Sequence, residues 1–356
     1  MASTESMFAS GDYLAVRRYS DQLAREVFEK TFFRRFCGTT GNQPIQVYND
    51  LEKGAGETIR HALRVADRTA GVSGDDQMSD FESAMVFYYQ DLKINQLRQA
   101  HEFRGMAQQR SVIDLRAEAR DSLSSWWAWV LDAMMFANLS GYVGTVAENA
   151  ECITAVTDGT TGHAGNAITA PDAAHLEVSG GVMTLDDIDK IVEIAKTVNP
   201  RVMPCNVDGK NYYVLVVHPY SMYNIRNQTT AVVGWADIQQ HAGPRGKLNP
   251  IFSGASFVHN GVIVHESEFI PRAATATYNV LLGANAGAFA MGNAYPKARR
   301  SGSLKGSFFS WNERNDDYGN IMGVSAGAIF GMQAKIFNSA RLGTVTLDTE
   351  CVDHQT

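Results

Sequence analysis

The chain has 356 residues, 45% of them hydrophobic and 19% charged, enough apolar material for one large domain or two to three medium ones. A formal net charge of −7 argues against a protein whose main task is gripping nucleic acid by its phosphates, although local basic patches stay open. The four cysteines, Cys37, Cys152, Cys205 and Cys351, form no C-x-x-C pair and no metal-ligand spacing, so they read as reduced thiols of a cytoplasmic product.

Residues 1–12 are small and polar, without an apolar signal core, and are predicted to be a disordered tail. No apolar run reaches the about 18 residues that a membrane span needs. Residues 13–36 read as an amphipathic helix, with Val16, Tyr19, Leu23, Val27 or Phe28, and Phe32 at helical spacing. Its polar positions lean basic: Arg17, Arg18, Arg25, Lys30, Arg34 and Arg35 against Asp21, Glu26 and Glu29. Such a helix needs a surface to lie on, in its own core or on a neighbouring subunit.

Residues 57–65 alternate, placing Ile59, Leu63 and Val65 on one face and Thr58, Arg60 and Arg64 on the other. An acidic, turn-rich stretch from Thr69 to Asp80 includes Asp75 and Asp76, and a second strand is predicted over 85–97 with Leu92 and Ile94 on one face. The pair makes a projecting hairpin that buries too little of itself to stand alone. From about Arg104 to Asn138 the pattern predicts one helix, with room for a break near Gly105, about 50 Å long. No heptad persists, so it is not a coiled coil. Trp126, Trp127 and Trp129 cannot share one face of such a helix, and core packing is the favoured reading for them over a base-stacking platform.

Residues 141–180 read as loops and short elements. Thr184 with Asp187 three residues on forms a capping box that opens a helix over 185–198, stopped by Asn199-Pro200. Tyr212–Val217 is a fully apolar strand, and Pro219 sits where a helix N1 proline would. A short helix is expected over 235–242, and Asn260-Gly261 turns a hairpin over 257–264. Residues 271–356 read mostly as strands and turns, with 343–349 the last strand.

Gly283 to Gly292 is glycine-rich but lacks both phosphate-loop spacings, which leaves close backbone packing. His218, His241, His259 and His265 lack metal spacing, although His259 and His265 could share a hairpin face. Asp186, Asp187 and Asp189 fit a helix N-terminus better than a calcium site. No nucleophile, paired-carboxylate or cofactor motif can be assembled, so no catalytic, cofactor or metal residue is expected.

The order of elements and several short motifs resemble the major capsid proteins of tailed bacteriophages, and more narrowly a podovirus-type family. The motifs are Asp50-Leu-Glu-Lys-Gly-Ala-Gly56, Ile94-Asn-Gln-Leu-Arg98, Gln109-Arg110 with Asp114 to Asp121, His218-Pro219-Tyr220, Asn249 to Ala255, Asn260 to Ser267, and Gly327 to Gln333. The resemblance spans roughly residues 13–350; Trp126–Trp129 and the loop 141–180 depart from it. It implies an α+β chain with the common tailed-phage major capsid fold. The implied parts are an N-terminal arm (1–43), an extended hairpin loop (44–103), a peripheral domain with a spine helix (104–180), an axial domain (181–270) and a return to the peripheral domain (271–356).

The implied function is assembly through pentamers and hexamers into an icosahedral head around double-stranded DNA, in the virion, after assembly in the host cytoplasm. Portal, scaffold or decoration proteins are implied partners, and no membrane is. The inter-subunit contact candidates are Arg17, Arg18, Arg34 and Arg35 on the arm; Asp50, Glu52, Lys53, Ile59, Arg60, Leu63, Arg64, Asp75, Asp76, Leu92, Lys93 and Ile94 on the hairpin; and Arg110, Arg116 and Arg120 on the spine. Apolar hairpin positions are expected to lie across an adjacent subunit while the charges fix register, the basic arm helix being a natural complement to the acidic tip. An encapsulin-like nanocompartment shell and, further off, a soluble α/β enzyme are the alternatives.

Overall fold

Helix α1 (Tyr13–Lys30) leads into a 3-10 turn (Phe33–Phe36) and two short strands, β1 (Cys37–Gly38) and β2 (Ile45–Tyr48). A single turn, α2 (Asp50–Lys53), precedes β3 (Thr58–Arg64) and β4 (Phe87–Lys93), and β5 (Asn95–Arg104) follows at once. Then come α3 (Gly105–Arg110) and the long α4 (Leu115–Ser140). After β6 (His175–Glu177) the chain forms α5 (Leu185–Thr197), β7 (Cys205–Val207), β8 (Lys210–Val217) and α6 (Pro219–Arg226). The remainder is strand: β9 (Phe257–His259), β10 (Val262–Glu266), β11 (Ala276–Leu282), β12 (Gly287–Met291), β13 (Phe309–Asp316), β14 (Ile321–Ala334), β15 (Ile336–Phe337), β16 (Ala340–Arg341) and β17 (Thr344–Glu350). The computed structural model describes residues 13–53, 56–64, 71–75, 78–79, 82, 84–143, 163–166, 168, 175–178, 181–207, 209–227, 257–293 and 308–350. The expected tail 1–12, the short helix at 235–242, the motif 249–255, Asp76 and most of the loop 141–180 lie outside the described residues, as do the side chains of Arg17, Arg18, Glu52 and Lys53.

Two sheets share α4 between them. In the first, β14 is central: β5 runs along one edge over its whole length, and β13 and β12 lie end to end along the other, with β2 and β1 beyond β12. The second has the order β6-β17-β11-β8-β10-β9, with β7 paired to β8. Its members β11 and β17 come from the 271–356 segment, so that segment feeds both sheets. One apolar cluster joins Leu123, Trp127, Val130, Leu131 and Met134 of α4 to Phe289, Phe309 and Phe330 of the first sheet and to Val214, Val216, Ile263 and Val280 of the second. A separate cluster packs α5 through Ile188, Ile191 and Val192 onto the other face of the second sheet.

Several local expectations hold. Thr184 donates its N–H and its hydroxyl to Asp187 at 2.9 and 2.7 Å, the carboxylate half of the capping box. Pro219 opens α6, with His218 Nδ1 accepting from Tyr220 N–H. Asn260 and Gly261 both take positive φ, 44° and 75°, as the tight turn between β9 and β10 requires. Trp127 is fully buried, edge-on to Phe309 and Phe330, while Trp126 and Trp129 are half-buried beside it.

The long helix is a correction. β5 extends to Arg104, and a break at Ser111–Asp114 separates α3 from α4. Asp114 begins α4 as an N-cap by accepting from Arg116 N–H at 3.0 Å, which stops the helix from running back. At 26 residues α4 is about 39 Å long, ending at Gly141 in the left-handed conformation.

The arm helix is also shorter than expected, stopping at Lys30. Phe32 and Phe33 donate their N–H groups to the two carboxylate oxygens of Asp132 at 2.8 and 2.9 Å instead of to carbonyls one turn back. Asp132 sits on α4 with no exposed surface. Burial pushes its carboxyl up to about 7, against the pull of the two N–H groups and of Arg35. Lys30 adds a 2.6 Å bond to Ser124 Oγ, and Leu23 and Val27 enter the main core, so the described arm lies on its own subunit's spine.

A carboxyl raised by folding favours the protonated native state. Its contribution is therefore complete below the ordinary carboxylate value of 3.8 and is lost as the pH rises to about 7. Thermal unfolding of unassembled subunits should show wild type losing stability relative to Asp132→Asn across that window. A difference independent of pH would mean that Asp132 stays ionised throughout.

Candidate assembly surfaces

The β3–β4 hairpin has two unlike faces. Its register pairs Ile59 with Leu92, His61 with Gln90 and Leu63 with Tyr88 on one side, and Thr58 with Lys93, Arg60 with Asp91, Ala62 with Tyr89 and Arg64 with Phe87 on the other. The first face turns to the body. Ile59 and Leu92 are buried in a cluster with Ala288 and Ala290 of β12, flanked by Tyr48, Leu51 and Ile94. Full burial of such a side chain stabilises by about 1.5–3 kcal/mol, here within the subunit. The expectation that Ile59, Leu92 and Ile94 lie across a neighbour is thereby corrected: these side chains attach the hairpin to its own sheet, and Leu63 is half-buried farther out.

Next outward, Gln90 Nε2 donates to Ala334 O at 3.0 Å, and its Oε1 accepts from Ile336 N–H at 3.1 Å. His61 Nε2 lies 3.2 Å from the same Oε1, and the ring stacks on Tyr48. Lys335 is buried beside them, donating to Gln46 and Asn285, and burial lowers its amine to about 8.

The junction between β4 and β5 is clamped by a residue that the sequence did not single out. Asn166 accepts from Lys93 N–H and donates to Lys93 O, both at 3.0 Å. His163 lies 3.1 Å from Asn95 O and stacks on Phe330. The strand crosses β14 at Gly331, where a Cβ would stand 2.0 Å from Lys93 O. An Asn and a His in a Gly/Thr/Ala-rich segment carry no periodic signal, so neither could be found by pattern.

The second hairpin face is solvent-exposed and amphipathic. Phe87 and Tyr89 stand exposed on it, and Met85 and Val86, just before β4, are exposed as well. Arg60 reaches Asp91 through two bonds of 2.6 and 2.8 Å and lies 4.5 Å over the Tyr89 ring. The pairing raises the Arg60 guanidinium and lowers the Asp91 carboxyl. Arg64 and Lys93 share this face, while Asp50 is exposed at the start of α2 and Asp75 is exposed near the tip. Phe87 and Tyr89 were missed, because the run from Met85 to Tyr89 reads apolar throughout and does not show that Tyr88 alone is half-buried while its neighbours are exposed.

The remaining basic candidates divide. Arg116 bonds Glu313 of β13 at 2.6 Å, and Arg120 bonds Asp121 at 2.9 Å and approaches Glu26 of α1. Arg34 and Arg35 lie over Phe28 and Phe32, 4.8 and 4.4 Å from the ring centroids. Arg110 is exposed on α3. The glycine-rich 283–292 segment packs backbone to backbone, a Cβ on Gly283 standing 2.4 Å from Met203 O. His265 is buried against Phe36 while His259 faces Asp189 on the surface, so the two do not share a site. Among the described residues no group of three or more His, Cys, Asp or Glu could hold a metal ion.

The subunit thus combines two sheets around one long helix with exposed apolar side chains on the outer face of the β3–β4 hairpin. The family model described as phage capsid protein matches residues 7–351, and the chain belongs to that family. It is similar to the major capsid protein of Pseudomonas phage KPP25, 25% identical over 343 residues that cover 90% of this chain and 89% of the relative. The capsid of Ralstonia phage GP4 matches with a TM-score of 0.78 at 26% identity, covering 92% of both chains. The Cyanophage Pam1 capsid asymmetric unit shares the fold at a TM-score of 0.65 and 20% identity, over 90% of this chain and 92% of that one.

Gly331→Ala should cost about 1–3 kcal/mol, the usual cost of overpacking, because the obstruction is backbone carbonyl and cannot swing aside. Urea unfolding would measure it, and an unchanged midpoint would show that the β4–β5 junction is not seated as described.

Proposed function

We propose that this chain, a structural component of a phage virion, builds the head as its major capsid subunit, in pentamers and hexamers closing an icosahedral shell around double-stranded DNA. The observation that carries the mechanism is the amphipathic outer face of the hairpin, where Phe87 and Tyr89 stand in solvent beside Arg60, Asp91 and Arg64, with Met85 and Val86 exposed just before the strand. A monomer has no use for such a strip on a projecting ribbon, whereas a neighbour can cover it, with the charges setting register. Many copies of a modest contact then act cooperatively. The domain scheme of arm, hairpin loop, peripheral and axial parts follows the same reading, with assembly in the host cytoplasm and portal, scaffold or decoration proteins as partners. A purely structural role without catalysis fits a chain whose motifs offer no nucleophile or acid/base set.

Negative-stain electron microscopy after a sizing column tests this. Wild type, alone or co-expressed with neighbouring phage genes, should give uniform shells or capsomer rings. Deleting residues 66–84 should leave a soluble folded subunit that does not close shells. Normal shells from that deletion would sink the hairpin mechanism, and discrete monomers or dimers of wild type under both conditions would sink the shell reading itself.

A further inference from the structure

The seat beneath the β3–β4 hairpin changes character along its length. At the root, Ile59 and Leu92 are buried against Ala288 and Ala290. One cross-strand pair farther out the contact turns polar, where His61 stands opposite Gln90. The His61 ring stacks on Tyr48 and meets Phe337 edge-on.

The hydrogen bonds fix where this ring carries its proton. Gln90 Nε2 donates to Ala334 O and Gln90 Oε1 accepts from Ile336 N–H, so the amide has one orientation. An oxygen therefore faces His61 Nε2 at 3.2 Å, and Nε2 is the N–H donor. Nδ1 is left as a bare acceptor, shut off from solvent and without a partner among the described residues. A second proton can bind only at Nδ1, and there it meets no acceptor. His163, buried at the hairpin root, is the contrast: it is hydrogen-bonded to backbone at both Asn95 and Phe330, so an added proton has an acceptor.

The surrounding charges oppose a cation at His61 as well. Lys335 is buried close by and donates to the neutral oxygens of Gln46 and Asn285. Asp91 lies on the outer face, held by Arg60, and Asp50 is exposed on α2, where its charge acts on Tyr48. Burial, helped by the Lys335 charge, holds the imidazole below its ordinary 6.5, against the pull of Gln90 and Asp91. The Lys335 amine is lowered only to about 8, so it is already positive where His61 titrates.

We infer that His61 is an acid-sensitive latch: once protonated it leaves its seat, parts Gln90 from Ala334 and Ile336, and lets the outer hairpin swing on the Ile59–Leu92 root. The seated form keeps the ring neutral. Its contribution is therefore complete above 6.5 and is lost as the pH falls from there through the lowered value. The ribbon that swings carries Arg60, Phe87 and Tyr89. Resting on the shell reading above, acid thus redirects the surface offered to a neighbour.

Hydrogen–deuterium exchange on unassembled full-length subunits tests the latch without requiring shells, so its failure leaves the shell reading standing. The reporter is Ile336 N–H, which Gln90 holds, followed in overlapping peptides by mass spectrometry and corrected for the intrinsic pH dependence of exchange. In wild type its protection should fall about tenfold between about pH 7.5 and about pH 5, while the amides of β8 lose none. His61→Gln keeps a donor for Gln90 and takes no charge, so its Ile336 protection should be equal at the two pH values. His61→Phe keeps the stack on Tyr48 and should behave the same way. No fall in wild type, or a fall of the same size in both variants, would overturn the latch.

Discussion

The burial of the second half of α4 is the constraint on which the rest of the subunit depends. From Trp127 to Ser140 every side chain but Trp129 is buried, so this stretch is surrounded, while the first half keeps an exposed polar face. Helices apolar on all sides occur where neighbouring layers cover them from several directions. Here the first sheet covers one side with Phe289, Phe309 and Phe330, and the second covers another with Val214, Val216 and Val280. The helix end is fixed to match: Arg341 donates to Leu139 O and Thr346 Oγ1 to Ser140 O, satisfying carbonyls that the helix leaves open. Neither sheet has a complete core without α4, so both are held to one beam.

That beam also decides what the arm and hairpin can offer a neighbour. Asp132, buried on α4, takes the N–H groups of Phe32 and Phe33 and so fixes where the arm leaves its helix. A carboxylate at such a depth is costly unless its lone pairs are used, and the arm supplies the donors. The hairpin divides in the same way between inner and outer faces. Its inner face is occupied by Ala288, Ala290, Tyr48 and the Gln90–His61–Lys335 cluster, and only the outer face stays open. Basic side chains follow suit, with Arg116 and Arg120 engaged by Glu313 and Asp121 on the subunit.

Much of this was legible from pattern and little of it from composition. Alternation in 57–65 correctly divided Ile59 and Leu63 from Arg60 and Arg64, and the Thr184–Asp187 box and the Asn260-Gly261 turn declared their local structures because both are short-range hydrogen-bond and φ requirements. Partnership was not legible. β5 carries only Leu97 and Phe103 as large apolar residues on its half-buried side, so its strand character comes from pairing with β14 more than 200 residues on. The same non-locality hid the Asp132 tether, which shortens α1 from a distance of 100 residues in sequence. It also hid the hairpin's outer strip, since an apolar run does not say which half will be covered by its own chain.

The edge of the first sheet is the other surface on which copies could associate. Among the described residues β5 pairs only with β14, leaving a ten-residue strand edge exposed. Such an edge invites strand addition by another copy, an indiscriminate association that would compete with a closed shell. The chain blunts it with charge: Arg98, Glu102 and Arg104 lie on one face of β5, and all three are exposed. Pairing two copies of this edge would have to desolvate these groups or set like charges against each other, which is unfavourable in a cross-strand site. The apolar side chains left open, Phe87 and Tyr89 on the hairpin and Tyr318 and Val112 near the start of β14, are instead on a ribbon, a turn and a helix end. Association through side-chain surfaces has a defined register, whereas a bare strand edge can slip by two residues and still pair. A lattice that must close after many additions requires the former, and exposed charge on β5 beside exposed apolar side chains elsewhere suits it.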